Sequence, residues 1–359
     1  DQSRDGTGDL ARNAGIDNLA VLAGSAPEPG WSGKLWALRQ GLQQCESQYV
    51  LLLDADIGLE PGVVASLLER LERERLDMIS IMANLHMHNF WERLLLPPFV
   101  YFFKLIYPFA LANDERSFVA AGAGGCVLLR RAALDEIGGF ESLREAIIDD
   151  CTLAKKIKQR PGRIWIGLSN DARALRPYGT LTNIWNMVAR TAYTQLRYSP
   201  VWLAVCTALL VLAYIVPFAA LLSGVPVAVT LGTVAVAAML VSYAPTVRFY
   251  GLGLLWGASL PPAATLCLAM TWTQSGRDAD IGYYVKTTEP TRLMRVNANT
   301  MDVPRTWTFV ESLLADGKVQ FLFIDYRLQR ALYNHAHEVE NISKAQLAKW
   351  FSYPKARVV

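Results

Sequence analysis

Charge is missing from two long stretches of this 359-residue chain: no Asp, Glu, Lys or Arg occurs for 50 residues between Arg197 and Arg248, nor for 28 between Arg248 and Arg277. The other 281 residues hold all 67 charged side chains, about 24% of them, the ordinary content of soluble domains. A uniformly greasy fold is excluded. The mean hydropathy of +0.20 averages a soluble protein with an apolar block set into it. Basic tracts are also missing: the net charge of +3 is spread over both signs, which excludes the electrostatic footprint of nucleic-acid binding. Cysteines are few, and the five (Cys45, Cys126, Cys151, Cys206, Cys267) share no close spacing. That excludes zinc knuckles and a disulfide frame, and reads as reduced thiols in a cytosolic or membrane setting. No initiator Met and no targeting segment opens the chain; residue 1 is an Asp inside what reads as a motif.

What is present begins with alternating strand and helix signals over residues 1–197. Gln48–Ile57 (QYVLLLDADI) is a short apolar run ending in carboxylates, as expected of a buried parallel strand delivering side chains to a sheet's carboxyl edge. The following helix, from near Pro61, sets Val64, Leu67, Leu68 and Leu71 on one face. Asp77–Met82, Cys126–Leu129 and Arg163–Leu168 read as further strands, and Gly138-Gly139 stops a short helix. The alternation predicts an α/β sandwich with its site at the carboxyl ends of the strands. Phe90–Phe109, aromatic-rich and broken by Pro97-Pro98, reads as a pair of interfacial helices touching a bilayer.

Residues 198–272 hold three apolar runs, Val201–Leu222, Val227–Tyr243 and Gly251–Trp272, each sized to cross about 30 Å of hydrocarbon at 1.5 Å per residue. Arg190 and Arg197 before the first run and Arg248 between the second and third place the α/β domain in the cytoplasm. Three crossings would send the remainder to the other face, unless the third run, interrupted by Pro261-Pro262, is re-entrant.

Asp54-Ala55-Asp56 closes the first apolar run. Strand alternation would turn both carboxylates to one side, where they share a divalent cation or divide between a metal and a sugar hydroxyl; their hard oxygens suit Mg²⁺ or Mn²⁺ beside a diphosphate. Asp149-Asp150 opens a helix whose inner face carries Leu153, Ala154 and Ile157. Such a pair serves as a dipole cap, or, if it faces the metal site, repulsion raises one carboxyl into the range of a general base. His86 and His88, beside Asn84 and Asn89, read as surface or packing residues.

Adding Asp1-Gln-Ser-Arg-Asp-Gly-Thr7 and Gly33-Lys34 gives an order of motifs that resembles the inverting family 2 glycosyltransferases: D-x-S-x-D-G-T, G-K-x-x-A, D-x-D, a glycine-rich lead-in at Gly122–Gly125, then an acidic pair. Within them the chain is most similar to the membrane-bound hopanoid-biosynthesis-associated glycosyltransferases of bacteria, through Trp31–Leu38 (WSGKLWAL) and the closing spans. The resemblance implies a GT-A-like (Rossmann-like) nucleotide-diphospho-sugar transferase domain over 1–197, a membrane domain over 198–272, and a nucleotide-sugar donor with a lipid acceptor at the inner membrane. It implies that Asp1 holds the base or ribose, that Lys34 lies near the nucleotide, and that Asp54 and Asp56 contact the ribose and the metal-bound diphosphate. Asp150, paired with Asp149, would deprotonate the acceptor hydroxyl, giving inversion. Gln195, Arg197 and Tyr198 resemble a shortened Q-x-x-R-W element, with Arg197 toward the diphosphate.

Relatives of that kind carry a nucleotide-binding strand and a second acidic strand ahead of the first motif, so the chain as it stands is expected to be inactive. The tail, 273–359, regains its charge and reads as a small α/β unit; Ser275–Gly282 with Thr306–Val310 and Val319–Asp325 resembles the penicillin-insensitive murein endopeptidases, a periplasmic zinc family. Gly276 and Asp280 fit that family's H-x-x-G-x-x-x-D motif, but Thr273 replaces its His, so a zinc site is not expected. The change of character at Trp272–Gln274 reads as a join of two gene fragments or as a fusion.

Overall fold

The computed structural model describes residues 6–28, 31–144, 146, 148–275, 301–315 and 326–350. Contacts divide the chain into two units, Asp1–Ser275 and Gly276–Val359.

The first unit opens with helices α1 (Thr7–Arg12) and α2 (Gly33–Gln43). Strands β1 (Tyr49–Leu53) and β2 (Ile57–Leu59), helix α3 (Val63–Arg73) and strand β3 (Met78–Asn84) follow. Next come α4 (Phe90–Ile106), α5 (Phe109–Ala112), β4 (Cys126–Arg130), α6 (Arg131–Glu136), α7 (Asp149–Gln159) and β5 (Ile164–Ala174). The five strands form one mixed sheet in the order β1-β4-β3-β5-β2, in which only β3 and β5 run parallel. Alternation along β3 and β4 fills both faces. Met78, Val127 and Leu129 pack with Leu35, Trp36, Phe140, Leu153 and Ile157 on one side; Ile79, Ile81 and Leu128 pack with Leu67 and Leu71 of α3 on the other. The α/β sandwich holds.

The run Gln48–Ile57 is not one buried parallel strand. The chain turns at Asp54, whose carbonyl accepts the Ile57 N–H at 3.0 Å, so the run divides into β1 and β2 at opposite ends of the strand order. Among the described residues β1 pairs only with β4, antiparallel, and Leu53 is left 43% exposed. An apolar run signals burial on average and does not say which neighbours supply it.

Nor is Phe90–Phe109 broken at its prolines. α4 is continuous through Pro97 and Pro98, started by a capping box in which Asn89 accepts the Glu92 N–H and Glu92 accepts the Asn89 N–H. Two prolines cost ladder bonds, but Leu94, Leu95, Leu96, Pro97 and Pro98 are all buried, and that packing outweighs the loss.

α8 (Leu181–Gln195) leads to α9 (Pro200–Tyr214), α10 (Val216–Leu221), α11 (Pro226–Phe249) and α12 (Leu260–Ser275). Three segments are long and apolar enough to cross a membrane: Pro200–Leu221, Pro226–Phe249 and Leu254–Thr273. The first two are largely exposed, as lipid-facing helices are, whereas the third is nearly half buried. Ala263, Cys267 and Met270 of α12 pack on Leu94–Leu96 of α4 and on Ile184, Val188 and Ala189 of α8, and the Trp185 indole donates to Thr273 Oγ1 at 3.0 Å.

In the second unit the described residues include the helices α13 (Val303–Ala315), α14 (Tyr326–Glu338) and α15 (Lys344–Trp350) around Trp307, Leu332 and Leu347. Gly276, Asp280 and Val319–Asp325 lie outside the described residues. His335 and His337, both on α14, approach Glu340 (3.6 Å) and the Ile342 carbonyl (3.0 Å) respectively.

Candidate active site

Ser32 caps α2, its Oγ accepting the Leu35 N–H at 3.3 Å, and so fixes Lys34 in the helix's first turn. Lys34 Nζ reaches Asp54 Oδ1 at 3.0 Å and Asp149 Oδ2 at 3.9 Å. Asp54 stands at the end of β1, its own N–H donated to the Gly125 carbonyl at 3.0 Å just ahead of β4. Because β4 is antiparallel to β1, its start and the end of β1 meet at one edge of the sheet. α7 brings Asp149 and Asp150 to the same edge. Together with Leu53, Gly124 and Phe140 these residues line an open cleft.

Asp150 is the most enclosed of the carboxylates. Its Oδ2 accepts the Gly124 N–H at 2.8 Å and its Oδ1 the Cys151 N–H at 2.7 Å. Burial pushes its pKa up to about 6, with Asp149 adding repulsion; the two N–H donors and Lys34 pull the other way. For Lys34, burial acts to lower the pKa, but the Asp54, Asp149 and Asp150 carboxylates outweigh it and hold the amine above its ordinary value. The approach of the glycine segment is close. A Cβ on Gly122 would stand 2.7 Å from the Asp150 carbonyl oxygen, and one on Gly124 would stand 3.3 Å from Lys34 Nζ and 3.4 Å from Asp150 Oδ2.

Asp56 is placed differently from the strand-alternation expectation. Residues 54–57 form a turn, so period-two geometry does not govern the pair; Asp56 is exposed, outside the cleft lining, and its carbonyl accepts the Leu175 N–H. Among the described residues no group of three His, Cys, Asp or Glu side chains is arranged to hold a metal. Arg197 is likewise outside the lining, exposed in a left-handed turn (φ 53°) after α8. Asp1 lies outside the described residues. His86 and His88 stack at 4.7 Å and do not line the cleft. No local pattern marked Phe140 and Leu143, whose 3₁₀ turn, Gly139–Leu143, reaches the cleft only through tertiary packing.

The model of glycosyl transferase family 21 matches residues 18–282. The chain belongs to that family. The match covers Lys34, Asp54, Asp56, Asp149, Asp150 and Arg197, and runs through Trp272–Gln274, where the sequence changes character. The family 2 resemblance expected from the motif order and the family 21 match share one statement: this is a glycosyltransferase. No curated protein matches the chain. Among solved structures it is similar to the mannosyltransferase PcManGT from Pyrobaculum calidifontis, solved in complex with GDP-Man and Mn²⁺, at 18% identity and a TM-score of 0.41 over 76% of this chain and 75% of that one.

Proposed function

We propose that this family 21 glycosyltransferase moves a sugar, with inversion, from a nucleotide-diphospho-sugar to the hydroxyl of a membrane lipid, hopanoids being the class the sequence favours. The observation that carries the reading is the meeting of Lys34, Asp54, Asp149 and Asp150 at one sheet edge, in the same unit as three membrane-length helices. The domain is cytoplasmic, on the arginine placement, at a bacterial inner membrane.

Asp150 is the general base. Enclosed and held near pKa 6, it is largely ionised at pH 7 yet still basic enough to take the acceptor proton as the sugar carbon is attacked from the face opposite the diphosphate. Asp149 keeps that pKa up and, with Asp54, holds the Lys34 amine in the cleft, where its charge meets the diphosphate. Asp54 and Asp56 offer two hard carboxylates, enough for Mg²⁺ or Mn²⁺, which are bound by one or two carboxylates completed by substrate phosphates. When bound, the cation supplies neutralisation of the leaving diphosphate. Asp1 is assigned to the nucleotide, and Arg197 to the diphosphate if its turn closes on the donor.

The test is transfer of radiolabel from UDP-glucose, UDP-N-acetylglucosamine and GDP-mannose, each with Mn²⁺, into total membrane lipid by membranes containing the protein. Label in a lipid product, lost in Asp150→Asn, supports the reading; label appearing equally in the Asp150→Asn membranes overturns the base assignment.

A further inference from the structure

The general base sits at the start of α7, and that helix is tied at two points to the segment joining α4 to β4. Near its C-terminal end, Lys158 Nζ donates to the carbonyls of Leu111 (3.2 Å), Ala112 (2.7 Å) and Val119 (2.7 Å). At its start, the Cys151 thiol donates to the Gly122 carbonyl at 3.5 Å and lies beside the hydroxyl of Tyr107, the residue that caps the end of α4. Tyr107 in turn donates to Gln195 Oε1 at 2.8 Å. Gln195 is the last residue of α8, five positions before the first membrane-length helix begins at Pro200. Tyr107 therefore joins the end of α8, just ahead of that helix, to Cys151, the residue beside Asp150.

We propose that Tyr107 is a positioning residue for sugar transfer: through its bond to Gln195 and its packing beside Cys151 it fixes the first turn of α7, and with it the Asp150 carboxylate, relative to the place where the membrane helices enter. This rests on Asp150 being the base. A lipid acceptor comes from the membrane side while the donor is held by the sheet edge. Aligning the acceptor hydroxyl with Asp150 and the sugar carbon needs the two parts in a fixed relation, and a displacement of about 1 Å at a reacting centre costs on the order of a hundredfold in rate. The phenol is suited to a permanent link. Burial raises its pKa to about 12, so it remains a donor throughout the working pH range, and burial keeps Cys151 a thiol in the same way. Tyr107 and Gln195 do not line the cleft, so they act through Asp150 and not on the donor.

The test uses the full-length protein in membranes and compares Tyr107→Phe, Gln195→Leu and the double variant, with whichever of UDP-glucose, UDP-N-acetylglucosamine and GDP-mannose is the best donor. Each single variant should lower kcat about tenfold, leave the Kd of the matching nucleoside diphosphate with Mn²⁺ within about twofold, and leave the melting temperature near wild type. The double variant should be no slower than the worse single one, because both remove the same bond. Wild-type kcat in Tyr107→Phe beside an inert Asp150→Asn protein would overturn the role of Tyr107 alone. So would losses that multiply in the double variant, or a nucleotide affinity that falls in step with kcat. A fully active Asp150→Asn protein would instead overturn the base assignment beneath it.

Discussion

Asp150 is fitted to its proposed role as base by what encloses it. Asp150 is desolvated and faces Asp149, so its proton leaves at a pH about two units above an ordinary aspartate's, and only the ionised form can accept the acceptor proton. The rate of transfer should accordingly fall as pH drops through about 6, and Asp149→Asn should move that limb to lower pH by removing the repulsion; a pH series of kcat/KM on both proteins measures it. A second buried carboxylate has the opposite balance. Burial works to raise the pKa of Glu92, but N–H groups of Gly179, His88, Asn89 and Tyr178 outweigh it and hold it below the ordinary 4.5. Its contribution to stability is therefore complete above that value and lost as pH falls through the depressed one. Glu92→Ala leaves those donors unpaired beneath a fully buried site and should cost about 3 kcal/mol, read as a lower denaturation midpoint at pH 7.

At the scale of elements, the turn at 54–57 and the continuous α4 are the two departures from the sequence reading, and both follow from tertiary partners. Asp54 is held by Gly125 and Lys34, so the chain leaves β1 there and Asp56 points away from the period-two pattern. Since Asp56 is exposed and touches little, Asp56→Ala should leave thermal stability within about 0.5 kcal/mol, while weakening Mn²⁺-dependent binding of nucleoside diphosphate at least tenfold by titration calorimetry. Gly124→Ala should do the reverse of a surface change: its methyl would crowd Lys34 and Asp150, so nucleotide binding and turnover should both fall.

For the whole of the first unit, the third apolar helix matters most. The third span, Leu254–Thr273, has 20 residues against 22 and 24 for the other two, but one face of α12 is covered by α4 and α8, which belong with the charged half of the unit, and its end is hydrogen-bonded to Trp185 of α8 as well as to Thr207 of α9. A helix that crossed to the far face could not keep its last turn against α8, which precedes the first span. α12 is therefore expected to re-enter, and a reporter fused after residue 275 should score on the same side as one placed on the α/β domain. A reporter scoring on the opposite side would show three complete crossings.

Charge distribution by itself separated the apolar block from the soluble one, because transfer of charge into hydrocarbon is costly enough to leave a gap visible in any order of reading. Local signals also located most of the cleft: Gly33-Lys34, the carboxylates closing an apolar run, the acidic pair opening a helix, and the glycines ahead of β4. Only the tertiary structure decided which of these act together. Asp150 differs from Asp149 by enclosure, Asp56 from Asp54 by one turn of backbone, and the Tyr107–Gln195 bond joins residues 88 apart. Those outcomes depend on burial and on contacts between distant segments, and neither quantity is carried by local spacing.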